Sequence, residues 1–287
     1  MPLDPAAALA AAPRRTALAW EPRDVQLYHL GIGAGRAATA PGELRYVLED
    51  RLRVLPAFAT VAGGAGVLGA LDVPGVAVDT ARVLHGGQRL TLHRPLPARG
   101  RAEAASRITA VYDKGKAAVL VSRTDVRDAG GPLWSAETDF YAPGEGGFGG
   151  ERGPSLGPDD PPDAPADRVF ETLVRPDQAL LYRLSGDLNP LHADPEAARG
   201  AGFERPILHG LCTYGMVLKG CLDGAPETPD GAHARVVAYR ARFTGVVFPG
   251  ETLRVSVWAD GHVRARVPER GDEVLVGRVE TGPGAEA

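Results

Sequence analysis

The strongest constraint on what this chain can fold into is that it repeats itself. Tyr28-His-Leu30 returns as Tyr182-Arg-Leu184, 154 residues later. Leu55-Pro56 returns as Arg205-Pro206 at an offset of 150, and Pro97-Ala-Arg-Gly100 returns as Pro249-Gly250 at 152. Each match is short, but three in order at nearly one offset describe a duplicated unit. Between the halves, residues 143–165 hold 13 Gly or Pro among 23 positions and show no helical or strand period, the composition of a linker. The 287 residues therefore divide into an N-terminal unit (1–142), a linker (143–166) and a C-terminal unit (167–287), each large enough to bury a core.

Within each unit the hydrophobic period changes once. An apolar stretch comes first; in the second unit it covers 208–223, with Lys219 its only lysine or arginine. A helix that apolar is buried around most of its circumference. Alternating segments follow. Leu253, Val255 and Val257 interleave with Arg254, Ser256 and Trp258, and Val263, Ala265 and Val267 with His262, Arg264 and Arg266. Period two with one apolar face predicts antiparallel sheet packed on one side. The first unit reads the same way over 102–112, 117–124 and 134–141, with a matching apolar helix expected after Leu55-Pro56. The fold class is α+β, with antiparallel sheet over a central helix in each unit.

Charge and cysteine usage remove several function classes. A net charge of -4 and a pI near 6.0 argue against a nucleic-acid partner. No apolar run reaches the length needed to span a bilayer, so no membrane partner is expected. Cys212 and Cys221 lie in one apolar segment, which suits buried small hydrophobes in a reducing compartment rather than a disulfide framework. The opening MPLDPAAALAAAPRR lacks the basic start of a signal peptide, and the closing GPGAEA is not a peroxisomal address. With Ala, Arg, Gly and Pro abundant and Lys scarce, a bacterial cytoplasmic protein is expected.

The chemistry concentrates in Tyr182-Arg-Leu-Ser-Gly-Asp-Leu-Asn-Pro-Leu-His192, which places Asp187, Asn189 and His192 within six residues. Gly186 and Pro190 prevent a regular helix there. Asp194-Pro195-Glu196 is a helix start, with Asp as N-cap and Pro in the first turn. The trio thus sits on a bend, which aims its side chains together. A carboxylate and an imidazole can exchange protons near neutrality, and an asparagine can orient water or substrate without titrating. Downstream, Pro206-Ile-Leu-His-Gly-Leu-Cys212 leads into the buried helix with Gly210 in its first turn. Helix-start N–H groups have no internal partner and carry the positive end of the dipole, and glycine lets a carbonyl approach them. That is the makings of an oxyanion hole.

These two segments resemble the hydratase 2 signature of the MaoC-like family, specifically the two-repeat (3R)-specific enoyl-CoA hydratases, and the likeness runs along most of the chain. It implies a double hotdog: two repeats, each an antiparallel sheet wrapped around a central helix. It also implies an acyl-CoA thioester substrate, no metal and no cofactor beyond the CoA of the substrate. By motif, Asp187 and His192 become the acid/base pair that holds the water, Asn189 a positioning group, and the Gly210 amide the thioester-oxygen donor. Leu84-His-Gly-Gly-Gln88, Tyr112-Asp-Lys-Gly115 and Ala241-Arg-Phe243 put His85, Gly86, Lys114 and Phe243 where the family contacts substrate and CoA. The first repeat has Gly33-Ala34-Gly35 where the second has Asp187-Leu-Asn189. It therefore lacks the catalytic set and is expected to shape an acyl tunnel. The implied reaction is reversible syn hydration of a trans-2-enoyl-CoA to the (3R)-3-hydroxyacyl-CoA.

Other readings stand beside this one. An Asp-x-Asn-Pro run alone is usually a capped turn. Asp187, His192, Asp194 and His209 match no usual zinc spacing, His209 reads as a helix-start residue, and Cys212 as a core residue rather than a nucleophile. Gly31-Ile-Gly33-Ala-Gly35 follows no strand and is not a dinucleotide loop. Alternative functions on the same fold are a dehydratase acting on a carrier-bound acyl thioester, a thioesterase, and a catalytically silent acyl-CoA-binding protein. Exposed sheet edges leave a homodimer as one way of covering them.

Overall fold

The computed structural model describes residues 3–64, 67–154, 160–224 and 235–282. Part of the linker, 155–159, and the C-terminal 283–287 lie outside the described residues.

The alternating segments become ten strands. The first half supplies β1 (Arg14–Trp20), β2 (Leu84–Leu92), β3 (Gly100–Asp113), β4 (Ala117–Asp128) and β5 (Gly131–Pro143). The second supplies β6 (Arg168–Leu173), β7 (Arg235–Phe243), β8 (Thr252–Val257), β9 (His262–Val267) and β10 (Asp272–Gly282). They form one sheet in the order β1-β3-β4-β5-β2-β7-β10-β9-β8-β6. Read from either end, equivalent strands of the two repeats follow in the same sequence. The halves join where β2 pairs antiparallel with β7, from Gly87↔Arg242 to Thr91↔Ala238, and Arg89 faces Arg240 across the seam.

Among the described residues six helices lie on or beside the sheet: α1 (Pro5–Ala10), α2 (Pro22–Gly31), α3 (Pro41–Leu44), α4 (Gln178–Tyr182), α5 (Pro195–Gly200) and α6 (Gly210–Asp223). The predicted apolar helix of the second unit is α6, and 11 of its 14 residues are buried, so it is enclosed rather than amphipathic. It packs in one core with Leu253, Val255, Val263, Ala265 and Leu275 of its own sheet. Lys219 is tolerated there because its Nζ lies 2.6 Å from both Glu43 and Asp223. Both cysteines are free and buried, and burial raises the Cys221 thiol to about 12.

The first repeat departs from the expected symmetry. No continuous helix follows Leu55-Pro56; three short 3-10 segments do, Pro56–Thr60, Ala62–Gly64 and Val67–Leu71. The physical reason is Gly63-Gly64, which adopt φ of 81° and 66°, values that end a right-handed helix. The double-hotdog class stands, with the long central helix present in the second repeat and broken in the first.

The repeats also meet through their duplicated tyrosines. Tyr28 of α2 and Tyr182 of α4 pack edge to face at 6.0 Å. Gly215 of α6 makes room for this contact: a Cβ there would lie 2.5 Å from Tyr28 Oη and 2.9 Å from Ile32. Gly215→Ala is therefore expected to overpack the inter-repeat core at a cost of about 2 kcal/mol, read as a lower thermal midpoint in a calorimetric scan.

Candidate active site

Local chemistry shapes the turn that carries the polar trio. Gly186 takes φ 121°, and a Cβ there would lie 2.8 Å from the carbonyl oxygen of Gly64, so only glycine fits. Asp187 Oδ1 accepts from Asn189 N at 3.1 Å, and Asn189 Oδ1 accepts from Leu191 N at 3.0 Å, capping the 3-10 turn Pro190–His192. Arg183 Nη2 ties the turn down by donating to Leu188 O at 3.1 Å. Asp194 then caps α5, accepting from Glu196 N at 2.7 Å. The bend and the helix start both fall where the sequence places them.

Two histidines meet beneath this turn. His192 Nδ1 lies 2.9 Å from Ile207 O. A carbonyl only accepts, so Nδ1 carries the proton and Nε2 presents a lone pair. His209, the N-cap of α6, places Nε2 3.2 Å from Asp187 O, which fixes its proton on Nε2. The rings stack at 3.8 Å with planes 29° apart. Burial lowers the pKa of both; His192 opposes a charge on His209, while Asp187 pulls His192 partly back up. The pair is neutral at neutral pH, so His192 keeps an unprotonated Nε2.

A cavity of about 450 Å³ opens in front of these groups. Asp187, Asn189, His192 and Gly210 line it, as do His85, Gly86 and Phe243 from the seam between the repeats. The His85 and Phe243 rings meet edge-on at 5.1 Å. His85 Nε2 bonds Gln88 Oε1 at 3.1 Å, and burial lowers the His85 pKa to about 4, so it is a neutral wall group rather than a cation. A β-bulge between His85 and Gly87 interrupts the pairing of β2 with β5 here.

Seven of the eight residues singled out from sequence thus share one cavity; Lys114 does not line it. Its Nζ donates to Pro154 O at 2.9 Å and lies 5.6 Å over the Tyr112 ring, so it ties the hairpin to the middle of the linker. Two charged lining residues escaped the sequence reading, Arg242 and Asp139. Arg242 is the cation of the cleft's seam wall, next to Phe243, and pairs with exposed Asp160 at 3.3 Å. Asp139 is held by both Arg89 guanidinium nitrogens at 3.0 and 3.1 Å. Among the ligand sets weighed from sequence, Asp187, His192 and His209 do cluster, offering one atom each within 4.8 Å of one another. Asp194 is not part of that group; its carboxylate is spent on the α5 cap.

The chain matches two known families. Residues 19–144 match the MFE-2 hydratase 2 N-terminal domain, and residues 157–278 match the MaoC like domain. It is 45% identical to "Enoyl-CoA hydratase ChsH3" of Mycobacterium tuberculosis, covering 99% of this chain and 100% of that one. It is 38% identical to "Enoyl-CoA hydratase 2, peroxisomal" of Arabidopsis thaliana, covering 92% and 91%. Among solved structures, a MaoC-like dehydratase from Phytophthora capsici superposes with a TM-score of 0.83 at 27% identity over 99% of this chain and all of that one. The peroxisomal multifunctional enzyme type 2 of Drosophila melanogaster gives 0.77 at 33% identity over 95% of this chain and 48% of that one.

The electrostatics of the pair are open to direct measurement. The His192 imidazole is expected to titrate below the ordinary 6.5, and Asp187→Asn, which removes the charge that raises it, is expected to lower it further. Imidazole resonances followed by NMR through acid pH check both; an upward shift in the variant would contradict the assignment.

Proposed function

Because this chain belongs to the two-repeat hydratase 2 branch of the MaoC-like family and is an enoyl-CoA hydratase forming the (3R)-3-hydroxyacyl thioester, we propose that Asp187 and His192 carry its chemistry. The observation behind this is their spacing. The atoms they offer lie within 4.8 Å, and one water at about 2.8 Å from each can bridge such a pair. A water with one O–H directed at the carboxylate and one at His192 Nε2 turns an oxygen lone pair toward C3 of the enoyl chain. The C3–O bond forms, the π electrons move to C2 and the thioester oxygen, and the water gives up a proton. C2 takes a proton from the same acid/base pair, so both additions fall on one face. Dehydration is the same path reversed.

Charge developing on the thioester oxygen needs donors that are already in place. The first turn of α6 supplies them, with Gly210 as the close-approach point against Phe243, whose ring would be 3.3 Å from a Cβ at that position. Asn189 holds the turn rather than exchanging protons, because its Oδ1 is committed to Leu191 N. Arg242 sits on the cleft wall where a CoA phosphate can reach it. The reaction written this way uses no metal or redox group. The proposed setting is the bacterial cytoplasm, where two unpaired buried cysteines persist. A homodimer is the proposed assembly, since edge strands β1 and β6 end the sheet.

Crotonyl-CoA loses its enoyl absorbance on hydration, and chiral analysis identifies the alcohol. Wild-type protein is expected to give the 3R product. Asp187→Asn is expected to lower kcat by about 10²–10⁴-fold with the fold intact; full activity in that variant refutes the site. Arg242→Ala is expected to raise KM several-fold with kcat nearly unchanged; a loss confined to kcat removes Arg242 from CoA binding.

A further inference from the structure

The motif Tyr112-Asp-Lys-Gly115 does not line the cleft; it fastens the linker. Asp113 Oδ1 accepts from Gly115 N and Gly147 N, and Oδ2 accepts from Gly149 N, each at 2.8 Å. Asp113 N donates to Glu151 O at 2.8 Å, and the Lys114 bond to Pro154 O follows. The linker is therefore held against the β3–β4 hairpin of the first repeat as far as Pro154. It is held again on the second repeat. Pro161 is buried, Trp258 Nε1 donates to Ala164 O at 2.9 Å, and Ala259 N donates to Asp167 Oδ2 at 2.7 Å.

Asp160 stands immediately before that second anchor. The proline after it restricts its backbone to extended conformations, and burial of the proline ring fixes where the chain lies. Its Oδ1 accepts from Arg242 Nη2 at 3.3 Å. This is the one ion pair of Arg242 among the described residues. Asp139, the other acid of the cleft wall, gives both oxygens to Arg89. Gly87 stands between Asp139 and Arg242 in the cross-strand row and brings no side chain. The side chains of Arg242 and Asp160 are 30% and 72% exposed. A pair that open is weak, so the backbone, rather than the attraction, keeps the carboxylate there. It is also open to exchange: a competing anion can reach the guanidinium without unburying anything.

We propose that Asp160 is a specificity-determining residue, a built-in competitor that occupies Arg242 until a phosphate of the CoA moiety displaces it. It weakens the binding of phosphate-bearing thioesters and leaves thioesters without phosphate untouched. The proposal rests on the reading of Arg242 as a CoA-phosphate contact and deepens it by naming what the phosphate must displace. Two anions at one guanidinium repel each other, so the carboxylate opposes the phosphate even where it is not fully expelled. Substrate and product carry the same CoA, and the competitor loosens both.

The test has a binding arm and a turnover arm. Free CoA is titrated into the full chain by calorimetry. Hydration is followed with crotonyl-CoA and with crotonyl-pantetheine, the same thioester without a phosphate. Asp160→Asn is expected to tighten CoA and lower the crotonyl-CoA KM about two- to fivefold, the scale of an exposed ion pair, with no rise in kcat. Asp160→Lys is expected to do more in the same direction. Neither is expected to change the KM for crotonyl-pantetheine, which shows at once that the cleft is intact. At about 0.5 M salt the difference between wild type and the variants is expected to shrink. With Arg242→Ala already in place, Asp160→Asn is expected to change nothing, since the pair it breaks is gone.

Unchanged or weaker CoA binding in both Asp160 variants overturns the proposal. An equal effect on crotonyl-pantetheine overturns it too, because that marks a change in the cleft rather than in charge. So does an Asp160→Asn effect that persists without Arg242, or a wild-type protein that binds no CoA. CoA binding that responds as expected while crotonyl-CoA is not hydrated counts against the hydratase reading alone.

Discussion

Everything in this molecule depends on the pairing of β2 with β7. It fuses two five-stranded sheets into one and sets the repeats about a local two-fold that passes between Arg89 and Arg240. Without it each repeat would expose an unpaired strand edge. It also brings His85 and Phe243 from different repeats to one cleft wall. A site assembled across that seam exists only when both repeats are folded and in register. A slip of one residue would turn every inward side chain outward.

Onto that frame the second repeat adds a polar cluster whose parts hold one another. The tautomer of His192 is fixed by Ile207 O, that of His209 by Asp187 O, and the Asp187 turn by Asn189 N. Burial keeps both rings neutral, and neutral imidazoles can stack where two imidazolium rings would repel. The first repeat has lost these groups. Gly33, φ 87°, stands where Asp187 stands in the second repeat, and the neighbouring Arg36 side chain closes over it. The cluster is therefore present in the second repeat and not in the first.

Where a local signal existed, the sequence was legible. The alternations in β8 and β9 identified most of their buried faces, since Leu253, Val255, Val263, Ala265 and Val267 are all fully buried, and failed at the end of β8, where Val257 is half-buried and Trp258 is buried. Gly186, Asp194 and Pro195 located the polar bend and the helix after it. Where tertiary context decided, the reading went astray or stopped short. Gly63-Gly64 in an apolar run reads as glycines inside a helix, and only their positive φ shows the break. Lys114 lies in a motif that looks like a ligand contact, yet its hairpin points it at Pro154. Arg242 and Asp139 have no pattern of their own, because the wall they share comes from strands far apart in the chain. The hydroxyls of the first repeat were visible as letters, but only the strand register lines Ser122 up with Thr138 and Gln88.

The broken helix and the polar bend are best understood as one feature. Gly186, which precedes Asp187, rests directly on Gly64, the residue at which the first repeat's helix ends. A straight helix through 56–71 would run across the first repeat's sheet as α6 runs across the second, filling the space over that sheet and changing the surface beneath the bend. Of the two sheet units, the second carries the continuous helix that starts at Gly210, and the first carries short 3-10 segments in the corresponding stretch. The interruption leaves space over the first unit's sheet and sets the Gly64 carbonyl against the bend. The hydroxyls on that sheet face then make physical sense. A face that is not packed against an apolar helix need not be apolar, and Thr124 and Ser106 stand there at the positions that Val263 and Val257 hold in the second repeat.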